Sequence, residues 1–96
     1  MTYCVALRLD AGMIFASDSR TNAGLDQANV ARKLFTFVRR GERAFVLLVS
    51  GGLSLSQSAV TLLREEFEAG RGLALAATMY QAARCVGEVV RRVATL

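Results

Sequence analysis

The chain has 96 residues, enough for one domain with a small core. Apolar residues make up 53% of the sequence, above the roughly 45–50% of an average globular protein, so we expect a partner surface or a missing portion to cover some of them. The net charge is +4, but the basic residues are scattered without interleaved aromatic residues, which argues against a nucleic-acid groove. The sequence lacks histidine, which excludes histidine-based catalysis and most zinc sites.

Four strands are predicted in the first half of the chain. Residues 3–9 and 13–17 flank a tight Gly-containing turn and predict a hairpin, and residues 19–29 are polar and predict a loop. Residues 33–38 and 44–49 predict two further strands on either side of a charged turn. The last of these is apolar on both faces, so we expect both of its faces to be covered.

Two helices are predicted in the second half. A capping box at Ser54–Gln57 precedes Val60, Leu63 and Phe67 at helical spacing, and Gly70 is a natural stop. A second helix is predicted over residues 73–93. Its expected buried stripe is Leu75, Met79, Ala82, Val86, Val89 and Val93. The fold class is therefore α+β, with an antiparallel sheet of about four strands covered on one face by two helices.

The two cysteines have no metal-binding spacing. Cys4 and Cys85 are predicted to be small buried side chains of a reducing compartment. The N-terminal region does not resemble a signal peptide because charged residues interrupt any apolar stretch, and the longest uncharged stretch is broken by Gly51 and Gly52. We therefore expect a cytoplasmic protein with no membrane segment.

Thr2 follows the initiator methionine directly. Methionine is trimmed when a small residue follows it, so removal of Met1 would leave a hydroxyl and a free α-amine on one residue. An amine of this kind, with an ordinary pKa of roughly 8, can accept the hydroxyl proton and activate the nucleophile.

Asp18 and Lys33 are candidates to surround that terminus. Asp18 ends the second predicted strand, where the hairpin returns beside Thr2. Lys33 opens the third predicted strand, and a buried ammonium there would lower the pKa of the hydroxyl. Both have ordinary alternatives: Asp18 as a turn former, and Lys33 as a solvated lysine at a strand end.

Gly51 and Gly52 lie between an apolar strand and a helix N-terminus. Backbone N–H groups at such a junction stabilise negative charge and can form an oxyanion hole. The alternatives are a flexible turn and an anion- or nucleotide-binding loop, although neither standard glycine-rich phosphate motif is present.

Together these features resemble the proteasome β-type N-terminal-nucleophile hydrolases. The opening Met1–Asp10 and the run Phe15–Gly24, which contains Ser-Asp-Ser-Arg-Thr-Asn-Ala-Gly, resemble the bacterial proteasome-related peptidases called Anbu. The resemblance spans residues 1–96 but reaches only the first half of the family's α-β-β-α sandwich, so a partial domain is expected.

The resemblance implies a threonine peptidase that acts on peptides or unfolded proteins as a homo-oligomer, with no cofactor, metal, nucleic acid or membrane partner. It assigns the catalytic roles to Thr2, Asp18, Lys33 and Gly51. It gives supporting roles to Ser19 and Arg20, and it places Val49 and Leu53 at the substrate pocket, whose apolar lining indicates apolar or neutral side chains. A non-catalytic half-domain that associates through an exposed sheet is the alternative.

Overall fold

The structure is a computed structural model that describes residues 2–22 and 28–95, with the side chains of 20–22, 28–30 and Leu53 left out. The chain divides into two compact units. The first comprises Met1–Val38 and Ala44–Gly51, and the second comprises Arg39–Arg43 and Gly52–Leu96. Each unit is described separately below.

The described residues form six strands: β1 (Cys4–Leu9), β2 (Gly12–Ser17), β3 (Arg20–Asn22), β4 (Ala28–Val30), β5 (Leu34–Arg39) and β6 (Arg43–Leu48). They pair as three two-stranded sheets, β1 with β2, β3 with β4, and β5 with β6. The α+β class is thus confirmed. The prediction of about four strands in one sheet missed β3 and β4, which lie in the stretch predicted to be a loop. Three-residue strands are too short to show an alternating pattern.

The β1–β2 hairpin determines where the chain starts relative to Asp18. The strands are antiparallel, and their register runs from Leu9 opposite Gly12 to Cys4 opposite Ser17. One residue further along each strand, the Asp18 N–H donates to the Tyr3 carbonyl at 3.0 Å. The hairpin therefore carries Asp18 back to the beginning of β1, as the sequence predicted.

The first helix, α1 (Leu53–Glu68), begins directly after the two glycines. Gly52 is its N-cap and provides no side-chain cap, so the predicted capping box at Ser54–Gln57 is wrong. The extended backbone of Gly52 already allows the helix to begin at Leu53, which places both predicted capping residues inside it. The helix buries four apolar side chains, among them the three predicted ones: Ala59, Val60, Leu63 and Phe67.

A 3-10 turn (Gly72–Leu75) separates α1 from α2 (Met79–Ala94). The prediction of one helix over residues 73–93 is therefore wrong at its start. Thr78 caps α2, since its hydroxyl accepts the Gln81 N–H at 3.1 Å. Leu75 and Met79, predicted to be buried, are 70% and 75% exposed because they precede or open the helix. No helix in the described part of the chain has both the length and the hydropathy that crossing a membrane requires.

Two arginines of the β5–β6 turn bind carbonyls at the ends of helical segments in the second unit. Arg39 donates to the Phe67 carbonyl at 3.1 Å and lies 5.5 Å from the centre of the Phe67 ring. Arg43 donates to the carbonyls of Leu73 and Ala76. Cations at helix C-termini satisfy the last free carbonyls and oppose the helix dipole, so the turn stabilises the ends of α1 and the 3-10 turn.

Candidate functional site

Two hydrogen bonds between Tyr3 and Asp18 hold the start of the chain. The Tyr3 N–H donates to Asp18 Oδ2 at 3.2 Å, and the Tyr3 carbonyl accepts the Asp18 N–H at 3.0 Å. Thr2 is bonded directly to Tyr3 and is half-buried. Because consecutive Cα atoms are about 3.8 Å apart, this clamp fixes the position of Thr2 next to the Asp18 carboxylate.

The same carboxylate is paired with Lys33. Lys33 Nζ lies 2.7 Å from Asp18 Oδ1, and the lysine side chain is only 8% exposed. Lysine is almost never this buried unless it is paired, so the solvated alternative for Lys33 is wrong. The Lys33 ammonium holds the pKa of the Asp18 carboxyl below its ordinary value; partial burial opposes this effect, and the Tyr3 N–H reinforces it.

The segment that follows β6 is attached to the lysine through its backbone. The Val49 N–H donates to the Lys33 carbonyl at 2.9 Å, and Cys4 Sγ lies 3.9 Å from the Val49 carbonyl oxygen. Gly51, two residues further on, has a φ of +98°. Only glycine adopts that conformation without strain. Among the described residues, no atom outside its immediate neighbours lies within 4 Å of the position that a Cβ would take.

A cleft of about 410 Å³ opens beside the ion pair. Two of the segments that line it are joined by a backbone hydrogen bond, in which the Ala31 N–H donates to the Ser19 carbonyl at 2.7 Å. Seven residues line it: Ser17, Asp18, Ser19, Ala31, Arg32, Lys33 and Leu34. The cleft therefore adjoins Thr2 through Asp18.

The structure brings some of the predicted site residues together. Asp18 and Lys33 are in direct contact, and Thr2 is one residue from the Asp18 clamp. Ser19 is exposed at the cleft. The side chains of Arg20 and Leu53 lie outside the described part of the structure.

Two features of the site were missed by sequence reasoning. The clamp on Tyr3 joins its backbone N–H and carbonyl to the carboxylate and the N–H of Asp18, and backbone atoms leave no signature in a sequence. Arg32 was not among the predicted site residues, but it lines the cleft. Its position next to a candidate site lysine was the one available signal.

The two cysteines are free thiols. Within the described ranges, no group of three or more Cys, Asp or Glu residues is placed to hold a metal ion. Cys4 is exposed, so the prediction that it is buried is wrong; its hairpin leaves most of both strands accessible. Cys85 is half-buried, and burial together with the nearby Glu66 carboxylate raises the pKa of its thiol, which makes it a poor nucleophile.

Comparison with solved structures finds proteins with a similar fold. The chain matches Anbu from Hyphomicrobium sp. strain MC1, in the form called the Gly-1 mutant, at 44% identity with a TM-score of 0.88. It matches Anbu, described as an ancestral beta-subunit, from Yersinia bercovieri at 44% identity with a TM-score of 0.86. The chain is therefore related to the Anbu proteins, as its sequence predicted. A third match, at 43% identity with a TM-score of 0.86, is the Anbu complex from Pseudomonas aeruginosa, which forms a helical assembly.

The similarity to Anbu covers nearly the whole of this chain but less than half of each relative. It extends over 99% of the chain and over 42%, 41% and 39% of the Hyphomicrobium, Yersinia and Pseudomonas chains. No family model matches the chain, and no curated protein matches it either. The chain is thus similar to the Anbu proteins over nearly all of its own length and over less than half of theirs.

Proposed function

We propose that this chain carries the catalytic elements of a threonine peptidase whose nucleophile is Thr2 after removal of Met1. The observation that supports this most strongly is the buried Lys33 ammonium, held at 2.7 Å by Asp18, while the same carboxylate clamps the backbone next to Thr2. An ion pair in which the lysine is buried is costly to maintain beside a potential N-terminal nucleophile. Such pairs are concentrated at functional sites.

The chemistry follows from groups that the chain itself contains. The α-amine of Thr2 accepts the hydroxyl proton, and the freed oxygen attacks the peptide carbonyl carbon. The amine of the leaving peptide departs with that proton, which leaves an acyl ester on Thr2. Water then hydrolyses the ester and regenerates the free hydroxyl.

Lys33 and Asp18 prepare the nucleophile electrostatically. A neighbouring ammonium favours the ionised form of a hydroxyl and so lowers its pKa. The Asp18 carboxylate fixes the Lys33 ammonium in position at 2.7 Å, which makes Asp18 a positioning residue, while its second oxygen holds the Tyr3 N–H. Both functions require the carboxylate to be ionised, and its lowered pKa favours ionisation at neutral pH.

Gly51 is the proposed oxyanion donor. The tetrahedral intermediate carries negative charge on the former carbonyl oxygen, and a backbone N–H fixed in place stabilises that charge. The positive φ of Gly51 sets the direction of the chain at the junction of β6 and α1, and the open space around its Cα leaves room for a substrate backbone.

The experiment is covalent labelling with a peptide epoxyketone, followed by peptide mass mapping. We expect an adduct on Thr2 in the wild-type chain and no adduct in Thr2→Ala. Lys33→Met should slow labelling by about 10²–10⁴-fold, the usual contribution of a positioned proton-transfer or charge-stabilising group. Arg40→Met, which removes an equal charge from an exposed turn position, is the matched control and should label at the wild-type rate.

Labelling must also be separated from reaction at the exposed thiol of Cys4. A Cys4→Ser variant should retain the Thr2 adduct in full. An adduct that persists in Thr2→Ala, or the absence of any adduct in the wild-type chain, would contradict the peptidase proposal. The latter result would favour the non-catalytic half-domain.

We further propose that the protein works as an oligomer in the cytoplasm. The β1–β2 hairpin exposes more than half of each of five large apolar side chains, which is unusual for an isolated monomer: Tyr3, Leu7, Leu9, Met13 and Ile14. A related Anbu complex forms a helical assembly. Both cysteines are free thiols, as is usual in a reducing compartment. Sedimentation of the wild-type chain as a monomer at all concentrations would refute the oligomer.

A further inference from the structure

The cleft beside the ion pair carries an excess of positive charge. Among its seven lining residues, Lys33 and Arg32 are cationic and Asp18 is anionic. Lys33 and Asp18 lie 2.7 Å apart, so their charges largely compensate each other. Arg32 is then the lining residue whose charge is not compensated by a neighbour in the cleft.

Arg32 is available to a ligand. It is exposed, and it forms no ion pair or hydrogen bond with any side chain among the described residues. Guanidinium groups bind carboxylates through two parallel N–H···O bonds, which gives both affinity and orientation. Ser17 and Ser19 line the same cleft, and serine hydroxyls can donate to a carboxylate as well.

The remaining lining residues suit the stem of an acidic side chain. Ala31 and Leu34 are apolar and half-buried, so they can pack against methylene groups while the charged end reaches Arg32. A volume of about 410 Å³ accommodates one side chain with space for solvent. A leucine side chain would leave Arg32 without a partner and gain only the small apolar contact.

We propose that this cleft selects peptides with an acidic side chain, glutamate above all, next to the bond that Thr2 attacks, and that Arg32 is the residue that determines this preference. The proposal rests on the proposed function, because Thr2 must supply the reaction. It differs from the apolar preference expected from Val49 and Leu53, which stays a prediction: Val49 is not among the residues that line the cleft, and the Leu53 side chain lies outside the described part of the structure. Asp18 connects the two parts of the site, because it lines the cleft and also clamps the residue next to Thr2.

The test compares two epoxyketones that are identical except for glutamate or leucine at the position next to the warhead. We expect the glutamate probe to label wild-type Thr2 about tenfold faster, the low end for a charge-assisted hydrogen bond because the cleft is open to solvent. Arg32→Gln should abolish the preference, and Arg32→Lys should restore part of it. Arg40→Gln removes the same charge away from the cleft and should keep the wild-type ratio. The ratio should also fall as ionic strength is raised.

Equal labelling by the two probes, or a glutamate preference that survives in Arg32→Gln, would overturn the assignment of Arg32 while leaving the peptidase proposal intact. If neither probe labels Thr2, the peptidase proposal fails, and the cleft is then tested by fluorescence anisotropy with acetylated, amidated, dye-labelled tetrapeptides that contain glutamate or glutamine. Tighter binding of the glutamate peptide that disappears in Arg32→Gln supports the cleft on its own. Indistinguishable binding of the two peptides refutes it.

Discussion

Replacing Gly51 by alanine is expected to affect both stability and reactivity, and its neighbour Gly52 provides a matched control. The two glycines are adjacent, and neither has any atom within 4 Å of the position that a new Cβ would take. They differ in backbone conformation: φ is +98° at Gly51 and −61° at Gly52. The substitution therefore isolates the conformational cost from any steric clash.

The magnitude follows from that difference. A side chain in the left-handed region costs about 1–2 kcal/mol, and we expect Gly51→Ala to be destabilised by that amount. At Gly52, the smaller entropy of the unfolded alanine chain stabilises by about 0.4–1 kcal/mol. A comparable loss occurs because alanine is a poorer N-cap than glycine. Gly52→Ala should therefore stay within about 0.5 kcal/mol of the wild type.

Urea unfolding followed by circular dichroism measures both variants, and the slope of the transition should stay unchanged. In parallel, the rate of epoxyketone labelling at Thr2 should fall by about 10²-fold in Gly51→Ala if relief of the strain moves the oxyanion donor, and little in Gly52→Ala. Equal stabilities of the two variants would refute the conformational argument. Equal labelling rates would refute the role of Gly51 as the oxyanion donor.

Three further predictions concern the rest of the chain. Folding lowers the pKa of Asp18 from 3.8, so the ionised carboxylate stabilises the fold fully above pH 3.8, and this stabilisation is lost as pH falls through the lower pKa of the folded state. Acid unfolding followed by circular dichroism should show this loss of stability. The Asp18→Asn variant should not show it. Leu63 is 1% exposed, and Leu63→Ala should lower the free energy of unfolding in urea by about 2–5 kcal/mol. Leu55, in the same helix, is 38% exposed, and Leu55→Ala should lower it by less than about 1 kcal/mol. Equal losses in the two variants would contradict the burial of Leu63. A thiol reagent should modify exposed Cys4 before Cys85, whose thiol is half-buried and has a raised pKa; the reverse order in peptide mapping would contradict it.

The strands that were predicted correctly have clear period-two patterns or strong turn signals. The β1–β2 hairpin has both, so its position and the return of Asp18 to the chain start could be derived from the sequence. The short strands β3 and β4 offer neither signal. Their pairing, Arg20 with Val30 through Asn22 with Ala28, depends on contacts across an intervening segment that no local pattern records.

Helix starts were harder to predict than helix cores. Val60, Leu63 and Phe67 are buried as their spacing indicates, but the first predicted capping box was false. The sequence does contain a functional cap at Thr78, where the Gln81 side chain also accepts the Ala77 N–H at 2.8 Å. Two similar Ser/Thr-x-x-Gln patterns thus had different outcomes, because the preceding backbone determines which one begins a helix.

The part of the candidate site that could be predicted is the ion pair, because a buried charged side chain requires a partner of opposite charge. A lysine between strands must find a carboxylate if it is buried, and Asp18 was the nearest candidate to Lys33 along the hairpin. Neither the cleft nor the position of Arg32 in its lining could be predicted, because a cavity arises from how several backbone segments pack and not from a residue pattern. The accessibility of Arg32 distinguishes it from the buried lysine beside it.

The most direct test of the proposed chemistry is the mass and N-terminal sequence of the purified chain. A nucleophile that uses its own α-amine requires Thr2 to be the first residue, and we expect a product that lacks Met1 and yields threonine in the first cycle. A mature chain that retains Met1 would have no free amine on Thr2 and would contradict the N-terminal threonine mechanism.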